Sequence, residues 1–130
     1  MKKVAIGFVL SFALAGCLAP SFTKPVDTNL LVSDVMDDGR TIKGRFDPAG
    51  FSNAEARRMA GFSCKNAALA TFGVTDVDGQ KVFQATCRDG TVHGAGAGVN
   101  FTRTGPKSAK YSSVFTLNGQ ITIAEGEYPL

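Results

Sequence analysis

The chain has 130 residues, with fourteen Lys and Arg against eleven Asp and Glu, and no Trp. A length of this order makes one domain. Two of the basic residues, Lys2 and Lys3, stand ahead of an apolar run, and the twelve that remain against eleven acidic residues leave a charge of about +1. Scattered charge so close to balance lacks the basic stripe that nucleic-acid binding requires, so no nucleic-acid partner is expected.

After Lys2 and Lys3, the run from Val4 to Ala15 is apolar apart from Gly7 and Ser11. It is shorter than the ~20 apolar residues that span a bilayer, and it fits the h-region of a secretory signal peptide. The stretch Leu14-Ala15-Gly16-Cys17 closes that run. Basic start, apolar run and Leu-Ala-Gly-Cys together resemble the lipobox of bacterial lipoproteins, a likeness confined to residues 1–17. The resemblance implies cleavage before Cys17, a diacylglyceryl group on its sulfur and an acyl (palmitate-type) chain on its new amino end. An ordinary signal peptide cut near Ala19 would instead discard Cys17. Two or more acyl chains anchor stably where one does not, at ~0.8 kcal/mol per buried methylene. Leu18, rather than the aspartate that resembles an inner-membrane retention signal, points to the outer membrane, facing the periplasm. The expected division is a signal peptide over 1–16, a lipidated tether over 17–27 and a single domain over 28–130. Pro20 and Pro25 give the tether no periodicity, and ten extended residues reach at most ~35 Å.

Two strand-like runs, Asn29 to Met36 and Thr41 to Phe46, flank Asp38-Gly39, a pair favoured in tight hairpin turns. In the first run Leu31, Ser33 and Val35 alternate against Leu30, Val32 and Asp34. In the second, Ile42, Gly44 and Phe46 give the inner face. Ser52 with Glu55 three residues later forms a capping box. A helix is expected from Asn53 to about Phe72, stopped by Gly73, with Met59, Phe62 and Leu69 on one side and Cys64 in its middle. Gly61 inside it costs ~1 kcal/mol relative to Ala.

Downstream, Phe83, Ala85 and Cys87 form the buried set of a strand. The stretch from Thr91 to Gly105 is a further, weaker strand, because Gly94, Gly96 and Gly98 interrupt it. Tyr111 to Leu117 and Gln120 to Ala124 flank the turn pair Asn118-Gly119. The order reads ββαβββ(β), an α+β fold with one helix packed on an antiparallel sheet of about four to six strands.

With Cys17 given to lipid, Cys64 and Cys87 remain, and an even number in an exported chain reads as a disulfide. The bridge closes a 24-residue loop, for which the chain-entropy account gives ~3 kcal/mol. A metal pair or a reactive thiol is the competing reading, but there is one histidine and no Cys-x-x-Cys spacing. His93, ahead of the glycine run, could sit at a pocket mouth, and with Cys87 it would make a nucleophile pair. A partly packed histidine is the plainer reading. Asp76 to Gln80 has the look of a calcium loop, yet its twelfth position is Cys87 where a glutamate is needed, and a turn explains it. Gly94 to Gly98 lacks the Lys-Ser/Thr of a P-loop. Asp37 with Asp38 falls in a turn, and Glu125 with Glu127 shares a solvated strand face.

No catalytic residue, metal site or cofactor is therefore expected. The sequence supports a membrane-anchored, non-enzymatic binding module of the cell envelope, whose partner is another envelope protein met by a sheet face or edge. The alternative is an inhibitor or immunity-type lipoprotein that blocks an envelope-attacking enzyme with the loop of His93, Gly94, Gly96 and Gly98. An envelope hydrolase is the third reading.

Overall fold

In the computed structural model of the chain, residues 26–130 are described. Cys17, the leader and most of the tether lie outside them. Among the described residues seven strands form one sheet: β1 Leu30–Val35, β2 Thr41–Phe46, β3 Leu69–Val77, β4 Gln80–Cys87, β5 Gly98–Gly105, β6 Ser108–Leu117 and β7 Gln120–Pro129. Their order across the sheet is β3-β4-β2-β1-β5-β6-β7, and every neighbouring pair is antiparallel. One helix, α1 Asn53–Phe62, connects β2 to the β3–β4 hairpin by way of a short 3-10 turn, Lys65–Ala67. The α+β expectation holds in outline, but the sheet is larger than four to six strands. Residues 69–77 pair as a strand rather than continuing a helix, and the glycine-bearing segment after Ala97 makes a full strand.

The alternation seen in the sequence decides which face of the sheet the helix covers. Leu31 and Val35 of β1, Ile42 and Phe46 of β2, Phe83, Ala85 and Cys87 of β4, and Val99 and Phe101 of β5 are buried together with Ala56, Met59 and Ala60 of α1. Burying an aliphatic or aromatic side chain of this size contributes about 1.5–3 kcal/mol, so this one-sided layer holds the fold together. Phe62 at the end of α1 extends the layer, its ring meeting Phe101, Tyr111 and Tyr128 at centroid distances of 5.7, 4.7 and 5.4 Å. Two glycines make room for rings lying across their strands. A Cβ on Gly44 would fall 2.3 Å from the Phe83 ring and 2.5 Å from the Val32 carbonyl oxygen, and one on Gly126 would fall 2.7 Å from the Tyr111 ring.

The helix starts as its capping box requires: Ser52 Oγ accepts from the Glu55 N–H, and Glu55 Oε1 accepts from the Ser52 N–H. It ends ten residues earlier than its alanine content suggests, because partners distant in sequence take the next backbone groups. Cys64 is extended (φ −92°, ψ 145°) and bridges to Thr91. The Lys65 N–H donates to the Gly90 carbonyl, and the Val92 N–H donates to the Ser63 carbonyl. Asn66 and Ala67 then turn through left-handed backbone, φ 58° and 53°. Cys64 thus lies beyond the helix, and its disulfide to Cys87 (Cα–Cα 5.3 Å) ties the post-helix turn, rather than the helix itself, to the end of β4.

Candidate interaction surface

The loop that carries His93 is fastened to its neighbours. Thr91 donates through both N–H and Oγ1 to the Gly39 carbonyl, and its Oγ1 accepts from the Gly94 N–H. The Gly96 N–H donates to the Val35 carbonyl, and the Val35 N–H to the Ala97 carbonyl. Gly94 and Gly96 hold positive φ, 81° and 82°, which the two bends of the loop need, whereas Gly98 already begins β5. His93 is half-buried and stacks on Phe115 of β6, with centroids 3.7 Å apart and planes 7° from parallel. It sits beside a ring, and Cys87 is committed to the disulfide, so the structure does not assemble a Cys–His pair.

The remaining chemical candidates are also placed. Asp76 pairs with Lys81 across the β3–β4 hairpin at 2.5 Å, and Asp78-Gly79 form its two-residue turn, both with positive φ, so this stretch is a hairpin tip. Among the described residues no group of three His, Cys, Asp or Glu could hold a metal ion. Asp38 lies in the β1–β2 turn, where the Thr41 hydroxyl and the backbone N–H groups of Thr41 and Arg40 all donate to its carboxylate and lower its pKa to about 2. That arrangement stabilises a turn; it leaves Asp38 ionised and fully hydrogen-bonded. Among the described residues no helix is long and apolar enough to cross a membrane.

Several concavities border the sheet, and two of them bear on β7. One, of about 600 Å³, lies on the helix-free face over β5, β6 and β7 and is lined by Leu30, Asn100, Thr102, Lys110, Glu125 and Glu127, among others. The other, of about 390 Å³, is bordered by Arg57, Arg58, Arg88 and Tyr128. His93 lines neither.

The sequence reading missed the apolar character of the β6–β7 hairpin. Ile121 is 80 % exposed, Ile123 62 %, Leu117 55 % and Val114 42 %, and Val92, next to the stacked His93, is 53 % exposed. Ile123 is the register partner of Val114, and Ile121 of Thr116. The three aliphatic side chains Val114, Ile123 and Ile121 therefore form one strip on the helix-free face. The signal was present in "ITIAEGE": Ile121, Ile123, Glu125 and Glu127 share one parity, and a face that carries two glutamates is not a core face. Both isoleucines had to be exposed.

No protein-family model matches this chain, and neither a curated protein nor a solved structure matches it.

Proposed function

We propose that the chain is a membrane-tethered interaction module of the bacterial cell envelope, anchored by acyl chains on Cys17 at the periplasmic face of the outer membrane. It recognises another envelope protein without catalysing a reaction. The observation that carries this reading is the exposed strip Val114–Ile123–Ile121 on a hairpin at the edge of the sheet. Contiguous apolar surface of this kind, rimmed by polar residues, marks a contact site on an otherwise well-packed domain. The lipobox and the Cys64–Cys87 bridge support the compartment, since disulfides persist where thiols are not kept reduced.

Two measurements test it. The intact mass from the membrane fraction should match Cys17 to Leu130 plus acyl chains, with two thiols that label only after reduction. A photo-crosslinking amino acid at position 121 should join the protein to a discrete envelope protein in whole cells, whereas the same group at the exposed position 53 of α1 should not. An unlipidated mass starting beyond Cys17 would remove the tether, and equal crosslinking from both positions would remove the surface.

A further inference from the structure

β7 is an edge strand, and its backbone has a defined unpaired side. Asn118 and Gly119 have φ 53° and 78°, the mirror-image turn of a two-residue hairpin. Such a turn is closed by a hydrogen-bonded pair, Leu117 with Gln120, and bonded pairs then recur at every second residue. The far end keeps the same phase, because the Leu130 N–H donates to the Lys107 carbonyl. Ile121, Ile123, Glu125 and Glu127 consequently turn their N–H and C=O groups away from β6, toward the open edge. The side chains of the same four residues stand exposed on the helix-free face. The open edge thus reads apolar, apolar, acidic, acidic until Pro129 ends it.

The other edge is defended differently. β3 carries a bulge between Leu69 and Thr71, and Asp76 near its end is held by Lys81; bulges and charges are how edges avoid pairing. On β7 the acidic half keeps off a second copy of this chain. Neither β7 nor β3 has a basic residue, so pairing β7 with itself or with β3 offers no cation for Glu125 and Glu127. Among the described residues neither glutamate is in an ion pair. The strand already seated on β7 shows what suits this row: β6 sets Lys110 opposite Glu127, Ser112 opposite Glu125, Val114 opposite Ile123 and Thr116 opposite Ile121.

Resting on the interaction-module reading above, we infer that β7 accepts an extended segment of its partner as an eighth, antiparallel strand. Alternate residues of that segment run basic, basic, apolar, apolar from its N-terminal end, opposite Glu127, Glu125, Ile123 and Ile121. Backbone bonds to the edge give affinity, and the alternate side chains give register and specificity.

The probe is an end-blocked, fluorescent peptide, Lys-Thr-Lys-Thr-Val-Thr-Val, titrated into the purified full chain in detergent. Saturable binding is expected, weakened at least about tenfold when both lysines become glutamates or when the peptide amides facing β7 are N-methylated. Ile123→Pro removes an edge N–H without removing a β6–β7 bond and should lower affinity by a similar factor. Should that variant not fold, E125K/E127K should reverse the preference toward the glutamate peptide. Equal affinity for the lysine, glutamate and N-methylated peptides overturns the inference, as does the absence of binding. If position 121 still crosslinks to a discrete partner while the peptide fails, strand addition falls and the interaction module stands. If the peptide binds but nothing crosslinks, the converse holds.

Discussion

Glu55 on α1 and Arg103 on β5 form a half-buried ion pair, with Nη2 2.5 Å from Oε1, and the same carboxylate oxygen accepts the Ser52 N–H of the capping box. One side chain therefore starts the helix and clamps it to the sheet. Arg103 is itself held from several sides: its Nε donates to the Gly50 carbonyl, its Nη1 donates to the Gly105 and Pro106 carbonyls, and its guanidinium lies 5.0 Å from the Phe51 ring. Glu55→Ala is expected to cost about 2 kcal/mol, from the lost cap and the stranded guanidinium. Urea denaturation of both proteins at neutral pH checks this.

The same pair sets a pH dependence. Burial raises the Glu55 carboxyl, but the Arg103 hydrogen bond, the Ser52 N–H and the nearby Arg103 and Arg58 charges outweigh it, so its pKa lies below the ordinary glutamate value. A group with a lowered folded pKa stabilises fully above its unfolded value, and that stability is lost as the pH falls through the folded one. The stability contributed by Glu55 should thus fade as the pH falls through its folded value, so that Glu55→Gln starts lower at neutral pH and approaches wild type in acid. Unfolding midpoints measured from pH 7 down to pH 2.5 decide the matter; parallel curves would rule the linkage out.

Gly44 and Gly126 are expected to resist a single added methyl. The Phe83 ring and the Val32 carbonyl oxygen occupy the space at Gly44, so Gly44→Ala forces the strand or the ring to move and should cost about 2–3 kcal/mol. Gly126→Ala presses only on the Tyr111 ring and should cost less. Gly73→Ala meets nothing within 4 Å and serves as the strand control. Thermal melts of the three variants should rank them in that order.

Removing the Cys64–Cys87 bridge releases a turn that is otherwise fixed by backbone bonds from the 88–92 loop. The double variant Cys64→Ser/Cys87→Ser should lose about 3 kcal/mol yet keep its far-ultraviolet spectrum. Hydrogen exchange should quicken first at Lys65, Arg88 and Val92, whose N–H groups join the post-helix turn to the 88–92 loop.

Ile121→Ser and Ile123→Ser should change stability by less than about 0.5 kcal/mol, because neither side chain packs in the core. Crosslinking to a partner, read from position 121 in Ile123→Ser and from position 123 in Ile121→Ser, should fall while the melting temperature stays put. A large drop in stability would show that the strip is structural.

Legibility followed the range of the interactions. Alternation at Leu31, Ser33 and Val35, and at Phe83, Ala85 and Cys87, is a local pattern that one buried face imposes, and the buried sets match it. The capping box and the Asn118-Gly119 turn are local as well, and both form. The helix end is not local. Residues 63–72 have the alanine content of a helix, but β4, the 88–92 loop and the disulfide all compete for their backbone, and pairing across the sheet overrides propensity. For the candidate site, the loop around His93 was singled out by composition, and the structure spends its glycines on bends that seal it down. The exposed isoleucines were legible only through the two glutamates that share their parity, because hydrophobicity alone does not say which face of a strand the helix leaves uncovered.

The strand order divides the domain at its glycine loop. Residues 30–87 supply four adjacent strands, the helix and both bridged cysteines, and residues 98–129 supply three strands joined by short turns; only the β1–β5 ladder links the two blocks within the sheet. Thr91 and Val92 fasten to the first block, so the natural seam lies near Gly94. The chain is thus laid out as a split pair. Two polypeptides cut at that seam would each keep their own ladders and meet along β1 and β5, with Phe62 against Phe101, Tyr111 and Tyr128 and the Glu55–Arg103 pair closing the same seam, so reassembly of the halves would report that one joint.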